Sequence, residues 1–127
     1  MKILLVDDSR TMRTIQKRAL ATIGYTNIDE VGDGQAALRH LQRQTPDLIL
    51  LDWNMPRMDG LTFLKIFRQT NSDTPVIMVT TEAENSQVMM AIKQGADDHL
   101  AKPFTREALA ERIAATLQRR DICHSTR

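Results

Sequence analysis

Five residues of this chain, each placed where a short apolar run stops, could do chemistry together. Asp7 and Asp8 follow residues 3–6, Asp52 follows 48–51, Thr80 follows 76–79, and Lys102 follows 98–101. Apolar runs this short read as strands, and strands buried on both faces belong to a parallel sheet. Ligand sites in open parallel sheets lie beyond the carboxyl ends of the strands. Three carboxylates, a hydroxyl and an ammonium therefore meet at one edge. Crowded carboxylates raise one another's pKa. A hard divalent cation relieves that repulsion through oxygen ligands and leaves room for water and phosphate. Magnesium fits better than zinc, because the pattern brings no histidine or cysteine to this edge. A carboxylate there can also be a nucleophile toward phosphorus. The cation, Lys102 and Thr80 would then each neutralise one peripheral oxygen.

Taken singly, each residue has a plainer reading. Asp52 could end a strand, Asp7 and Asp8 could favour a helix dipole, Lys102 could lie on the surface, and Thr80 could be an ordinary strand residue. The set of five carries the argument, and it depends on the elements that position them.

Those elements alternate along the chain. Residues 3–6 predict a first strand, and Ser9 is an N-cap for a helix with Met12, Ile15, Ala19 and Ile23 on one stripe, closed by Gly24. Residues 28–31 form a weaker strand, followed by a helix with Ala37, Leu38 and Leu41 inward. The central strand, 48–51, ends in Asp52; Met55-Pro56 forces an extended turn, and Asp59-Gly60 starts a helix carrying Leu61, Leu64 and Phe67. A fourth strand over 76–79, a helix over 84–94 closed by Gly95, and a marginal fifth strand over 98–101 come next. Thr105 caps a last helix with Leu109, Ile113 and Leu117 inward. Parallel strands need right-handed helical crossovers. The fold class is therefore α/β, a single doubly wound five-stranded parallel sheet. One domain over 1–120 is expected, with 121–127 a polar tail.

Composition agrees. The chain has 127 residues, 42% hydrophobic and 26% charged, which suits one globular core. A net charge of +1 implies no field for nucleic acid or acidic membrane. The single cysteine, Cys123, excludes an intrachain disulfide, and the opening apolar segment is too short for a secretory leader. A cytoplasmic protein without membrane insertion is expected.

The segments Leu5-Val6-Asp7-Asp8-Ser9, Asp52-Trp53-Asn54-Met55-Pro56-Arg57-Met58-Asp59-Gly60, Val79-Thr80-Thr81-Glu82 and Lys102-Pro103-Phe104 resemble the receiver domain of two-component response regulators. Four ordered motifs at compatible spacing, over residues 2 to about 118, make the resemblance specific. The Asp-Trp-Asn-Met-Pro run is similar to that of the family's stand-alone chemotaxis regulators. The resemblance implies a flavodoxin-like (βα)5 fold with strand order 2-1-3-4-5. It implies that Asp52 is the phosphoacceptor, taking phosphoryl from a histidine kinase. Mg2+ would be held by Asp8, Asp52 and the backbone carbonyl of Asn54, with Asp7 acting through water. Lys102, Thr80 and Thr81 would contact or screen the phosphoryl group, Lys102-Pro103 would be cis, and Asn54 and Glu82 would tune autodephosphorylation. The protein would be a monomeric regulatory switch rather than an enzyme with its own substrate.

One position departs from the family. A tyrosine or phenylalanine is usual three residues before the lysine, and here it is His99. Either it is a half-exposed strand histidine, or imidazole serves as the switch side chain beside Thr80. Output in the family leaves through the fourth helix, fifth strand and fifth helix. Val88 and Ile92, spaced i and i+4, would share that face with His99 and Arg112, whereas Met89 is expected in the core. Arg106, Arg112, Arg119 and Arg120 read as a solvated face. The target would be a flagellar motor switch or a histidine phosphotransfer domain; a phosphate sink is the third possibility. From another class, a small-molecule phosphatase working through an aspartyl phosphate would want an Asp-x-Asp strand and a cap insertion, and the chain has neither. A nucleotide-binding module would want glycines in the first turn, where Asp7-Asp8-Ser9-Arg10 is acidic. A degenerate scaffold would lack site residues, and all five are present.

Overall fold

The computed structural model describes residues 1–81 and 85–125; for residues 85 and 121–125 it describes the backbone only. Strands and helices alternate as β1 (Ile3–Val6), α1 (Arg10–Thr22), β2 (Ile28–Val31), α2 (Gly34–Arg43), β3 (Leu48–Asp52), α3 (Gly60–Arg68), β4 (Val76–Thr80), α4 (Asn85–Lys93), β5 (Asp98–Ala101) and α5 (Arg106–Ser125). All strand pairs are parallel, in the order β2-β1-β3-β4-β5. This is the doubly wound arrangement expected.

Alternate residues of the central strands feed two cores. Leu4, Val6, Ile49, Leu51, Val76 and Met78 pack with Ala37 of α2, Phe63, Leu64 and Phe67 of α3, and Ala91 of α4. Ile3, Leu5, Leu48, Leu50, Ile77 and Val79 pack with Leu20 of α1 and with Leu109 and Ile113 of α5. A strand's two-residue period makes the split. With helices on both faces the strands need no polar alternation, so they read as continuous apolar runs. Each fully buried Leu or Ile contributes about 2 kcal/mol relative to exposure. The sheet is thus firmly seated up to its carboxyl edge, where the apolar residues stop.

Caps fix where the helices begin. Ser9 Oγ accepts from Met12 N at 3.2 Å, Asp59 Oδ1 from Thr62 N at 2.8 Å, and Thr105 Oγ1 from Ala108 N at 3.0 Å. Asp33 caps α2 in the same way, through Ala36 N at 2.7 Å.

Four packing details differ from the sequence reading. Ile15 is 49% exposed, and Gln16 and Leu20 are buried in its place. Ile15 lies about 140° around the helix from Leu20, so seating Leu20 turns it outward. Met89 is 70% exposed, because Ala91 is the residue of α4 that reaches the core. Helix α5 continues past residue 120 to Ser125, across the expected tail. Arg119 and Arg120 are tied down rather than merely solvated. Arg120 donates to both oxygens of Asp97 at 2.6 and 3.0 Å, and Arg119 to Asp98 at 3.2 Å. Arg68 of α3 joins the same knot, donating to Asp97 Oδ2 at 3.2 Å.

Gly60 couples the fold to the acidic edge. Its N–H donates to Trp53 O at 2.8 Å, and a Cβ there would run into the carbonyl oxygen of Asp52. Gly34 is also tight, but only the flexible thioether of Met58 opposes a Cβ, at 2.7 Å. Gly60→Ala should therefore lower the unfolding free energy by about 2 kcal/mol or more. Gly34→Ala should cost clearly less, and urea unfolding of the two variants side by side checks the order.

Candidate functional site

Sheet register assembles the site. Val6 pairs with Leu51, Asp52 with Val79, and Thr80 with Ala101. The next residue on each strand therefore lands on the same edge. Backbone bonds hold these ends in place: Asp7 N donates to Val31 O at 3.2 Å, Trp53 N to Val79 O at 3.1 Å, and Lys102 N to Thr80 O at 2.8 Å. Asp7, Asp52 and Thr80 are buried, with Asp52 only 6% exposed, while Asp8 is open to solvent. The Lys102-Pro103 peptide bond that follows is cis, as the resemblance implies.

Lys102 ties two of the acids together. Its Nζ lies 3.0 Å from Asp52 Oδ1 and 3.1 Å from Asp7 Oδ2. Asp7, Asp8 and Asp52 each offer one oxygen, and these oxygens lie within 4.8 Å of one another. Burial pushes the Asp52 carboxyl above its ordinary range; the Lys102 hydrogen bond opposes this, and the charges of Asp7 and Asp8 add to it. Burial pulls Lys102 down, yet its bonds to Asp52 and the charges of Asp52 and Asp7 leave it raised overall. Three carboxylates facing one ammonium leave surplus negative charge at a buried edge. The donors are all oxygen, which suits a hard divalent cation. Asp7, Asp8 and Asp52 are thus the residues that could hold Mg2+, with the exposed Asn54 two residues beyond Asp52.

The other expected residues fall around this centre. Thr80 is buried at the end of β4, and Thr81 is exposed just past it. Glu82 lies outside the described residues. His99 is half-buried on β5, beside Met78 of β4 in register, with Nδ1 3.5 Å from Asp98 Oδ1. Val88 is half-buried and Ile92 exposed, both on α4. Arg112 is exposed on α5, and its guanidinium donates to Asp98 at 3.2 and 3.4 Å. Trp53, half-buried next to Asp52, packs on the core of α2, α3 and α4.

Sequence reasoning passed over Arg13. Its side chain donates to the backbone carbonyl of Asp7 at 2.5 Å and to Glu30 Oε1 at 2.9 Å. The one available signal was its position, one turn after the Ser9 cap, where a long side chain can reach back to the end of β1.

A parallel sheet in this order with an acid-and-lysine carboxyl edge is the architecture of a receiver. The chain matches the response regulator receiver domain over residues 3–114 and belongs to that family. It is 41% identical over 121 residues to "Chemotaxis protein CheY" of Pseudomonas aeruginosa, covering 94% of this chain and 98% of that protein. It is 40% identical over 124 residues to "Chemotaxis protein CheY1" of Helicobacter pylori, covering 95% and 100%. A solved structure of Vibrio cholerae chemotaxis protein CheY4 aligns with a TM-score of 0.82 at 33% identity, covering 91% of this chain and 97% of that one. No helix among the described residues is long and apolar enough to cross a membrane.

The raised Asp52 pKa has a consequence for stability. An acid whose folded pKa exceeds its unfolded value costs stability once ionised, and the cost vanishes below the ordinary value near 3.8. In metal-free buffer at pH 7, Asp52→Asn should raise the thermal midpoint. The gain should shrink as pH falls toward 4, and a series of melts across that range checks the sign.

Proposed function

We propose that the protein is a phosphorylation-gated signalling switch whose phosphoacceptor is Asp52. The observation that carries this reading is the bridge from Lys102 to Asp52 and Asp7, with Asp8 beside them and open to solvent. Buried acids at that spacing suit a cation and a phosphoryl group better than they suit each other.

In this reading Asp8, Asp52 and the carbonyl of Asn54 would hold Mg2+, with Asp7 acting through water. Bound magnesium supplies charge neutralisation for the phosphoryl oxygens. A carboxylate oxygen of Asp52 attacks phosphorus in line and forms an O–P bond. The donor's own bond to phosphorus breaks, and its electron pair leaves with imidazole from a phosphohistidine or with carboxylate from an acyl phosphate. Lys102, already on Asp52, moves its hydrogen bond to a phosphoryl oxygen. Thr80 binds a second oxygen, and Thr81 screens the group from water. Hydrolysis later returns Asp52 as carboxylate with release of phosphate, at a rate tuned by Asn54 and Glu82.

Family membership supports a histidine kinase as the phosphoryl donor. The output face is α4, β5 and α5, with Val88, Ile92, His99 and Arg112, and His99 follows the movement of Thr80. Likeness to proteins named as chemotaxis proteins favours a flagellar motor switch as the target and the cytoplasm as the location. A histidine phosphotransfer domain is the alternative target.

Incubation with Mg2+ and a small acyl phosphate should add one phosphoryl group to the intact mass and change Trp53 fluorescence. Asp52→Asn should abolish both. Lys102→Met should still bind Mg2+ but slow phosphorylation about a hundredfold. A phosphoryl group gained by Asp52→Asn at the wild-type rate would overturn the assignment.

A further inference from the structure

We propose that Arg13, braced by Glu30, is a positioning residue that sets the direction of the Asp8 carboxylate toward the cation. The proposal rests on the reading of the acidic edge as a Mg2+ site.

Asp7 and Asp8 are held in different ways. Asp7 is fixed on every side: its N–H by Val31 O, one carboxylate oxygen by Ser9 N at 2.9 Å, and the other by Lys102 at 3.1 Å. The carboxylate of Asp8 takes no hydrogen bond or ion pair among the described residues. Only its backbone directs it. The Asp7 carbonyl and the Asp8 N–H share one rigid peptide plane, so whatever fixes that carbonyl fixes the start of Asp8. The group on it is the Arg13 guanidinium, at 2.5 Å.

Arg13 cannot swing away freely. Its Nε donates to Glu30 Oε1 at 2.9 Å, and Lys17 holds the other oxygen of Glu30. The side chain is largely buried, and a Cβ on Gly32 would sit 3.4 Å from its Nη1. A planar fork is suited to spanning a carbonyl and a carboxylate at once, and an ammonium is not. The brace therefore links α1 and edge strand β2 to the metal-facing peptide.

Charge and positioning predict opposite results. Acting through charge alone, Arg13 would repel Mg2+, and its removal would tighten binding. Acting through the peptide, its removal loosens binding. Mg2+ would be titrated against Trp53 fluorescence in wild type, Arg13→Met and Arg13→Lys, with metal-free melts to check folding. Arg13→Met should bind Mg2+ about tenfold more weakly, yet reach nearly the wild-type phosphorylation rate at saturating Mg2+. Arg13→Lys keeps the charge and should show a smaller loss in the same direction. An unchanged or tightened Mg2+ constant in folded Arg13→Met would overturn the proposal. If that variant does not fold, Arg13→Lys decides: weaker binding supports the brace, and a wild-type constant refutes it. A wild type that does not respond to Mg2+ would instead defeat the metal-site reading, and this proposal with it.

Discussion

One ammonium group reaches two buried carboxylates at the end of a parallel sheet, and the site depends on that contact. Lys102 bonds Asp52 and Asp7 but leaves Asp8 to solvent. Without Lys102, buried Asp52 and Asp7 would face each other across a region of low polarisability, where like charges repel strongly. With it, they are held close, but one ammonium cannot neutralise two carboxylates, and burial still keeps the Asp52 carboxyl raised. The remaining negative charge makes the edge receptive to a divalent cation. A phosphoryl group carried on Asp52 would draw on the same two positive partners.

That contact requires a stiff frame. Lys102 and Asp7 are 95 residues apart in sequence and meet only through the strand register. The register holds because β1, β3 and β4 are buried on both faces, and a slip would unseat two cores at once. The side that carries α4, proposed above as the output face, is built differently. Among its described side chains, helix α4 presents one small core residue, Ala91, and leaves Met89, Met90 and Ile92 exposed. Few buried contacts mean a low cost for local rearrangement. A rigid edge beside a lightly anchored helix is the combination a switch needs, since the two states must differ by only a few kcal/mol.

Much of this was legible in the sequence, because strands covered on both faces are short apolar runs that end at the first polar residue. Asp7, Asp52, Thr80 and Lys102 were found that way, and Ser9, Asp59 and Thr105 were found as caps. Helix rotation was not legible. Both α1 and α4 carry apolar residues on more than one side, and only docking on the sheet decides that Leu20 and Ala91 go in while Ile15 and Met89 stay out. The length of α5 was hidden for another reason. Its sequence turns polar there, and the long-range pairing of Arg119 and Arg120 with Asp98 and Asp97 left no local signal. Arg13 left the least trace, since its key partner is a backbone carbonyl and any residue at position 7 would supply one.

On the proposed chemistry a single carboxylate, Asp52, becomes the acyl phosphate. The most direct measurement is to phosphorylate the protein with an acyl phosphate in Mg2+, reduce it with borohydride, and map the product by peptide mass spectrometry. Borohydride converts an aspartyl phosphate to homoserine. Homoserine is expected at position 52 and at no other aspartate, and none when Mg2+ is chelated. Homoserine at position 7 or 8, or an unmodified chain under saturating Mg2+ and donor, would contradict it.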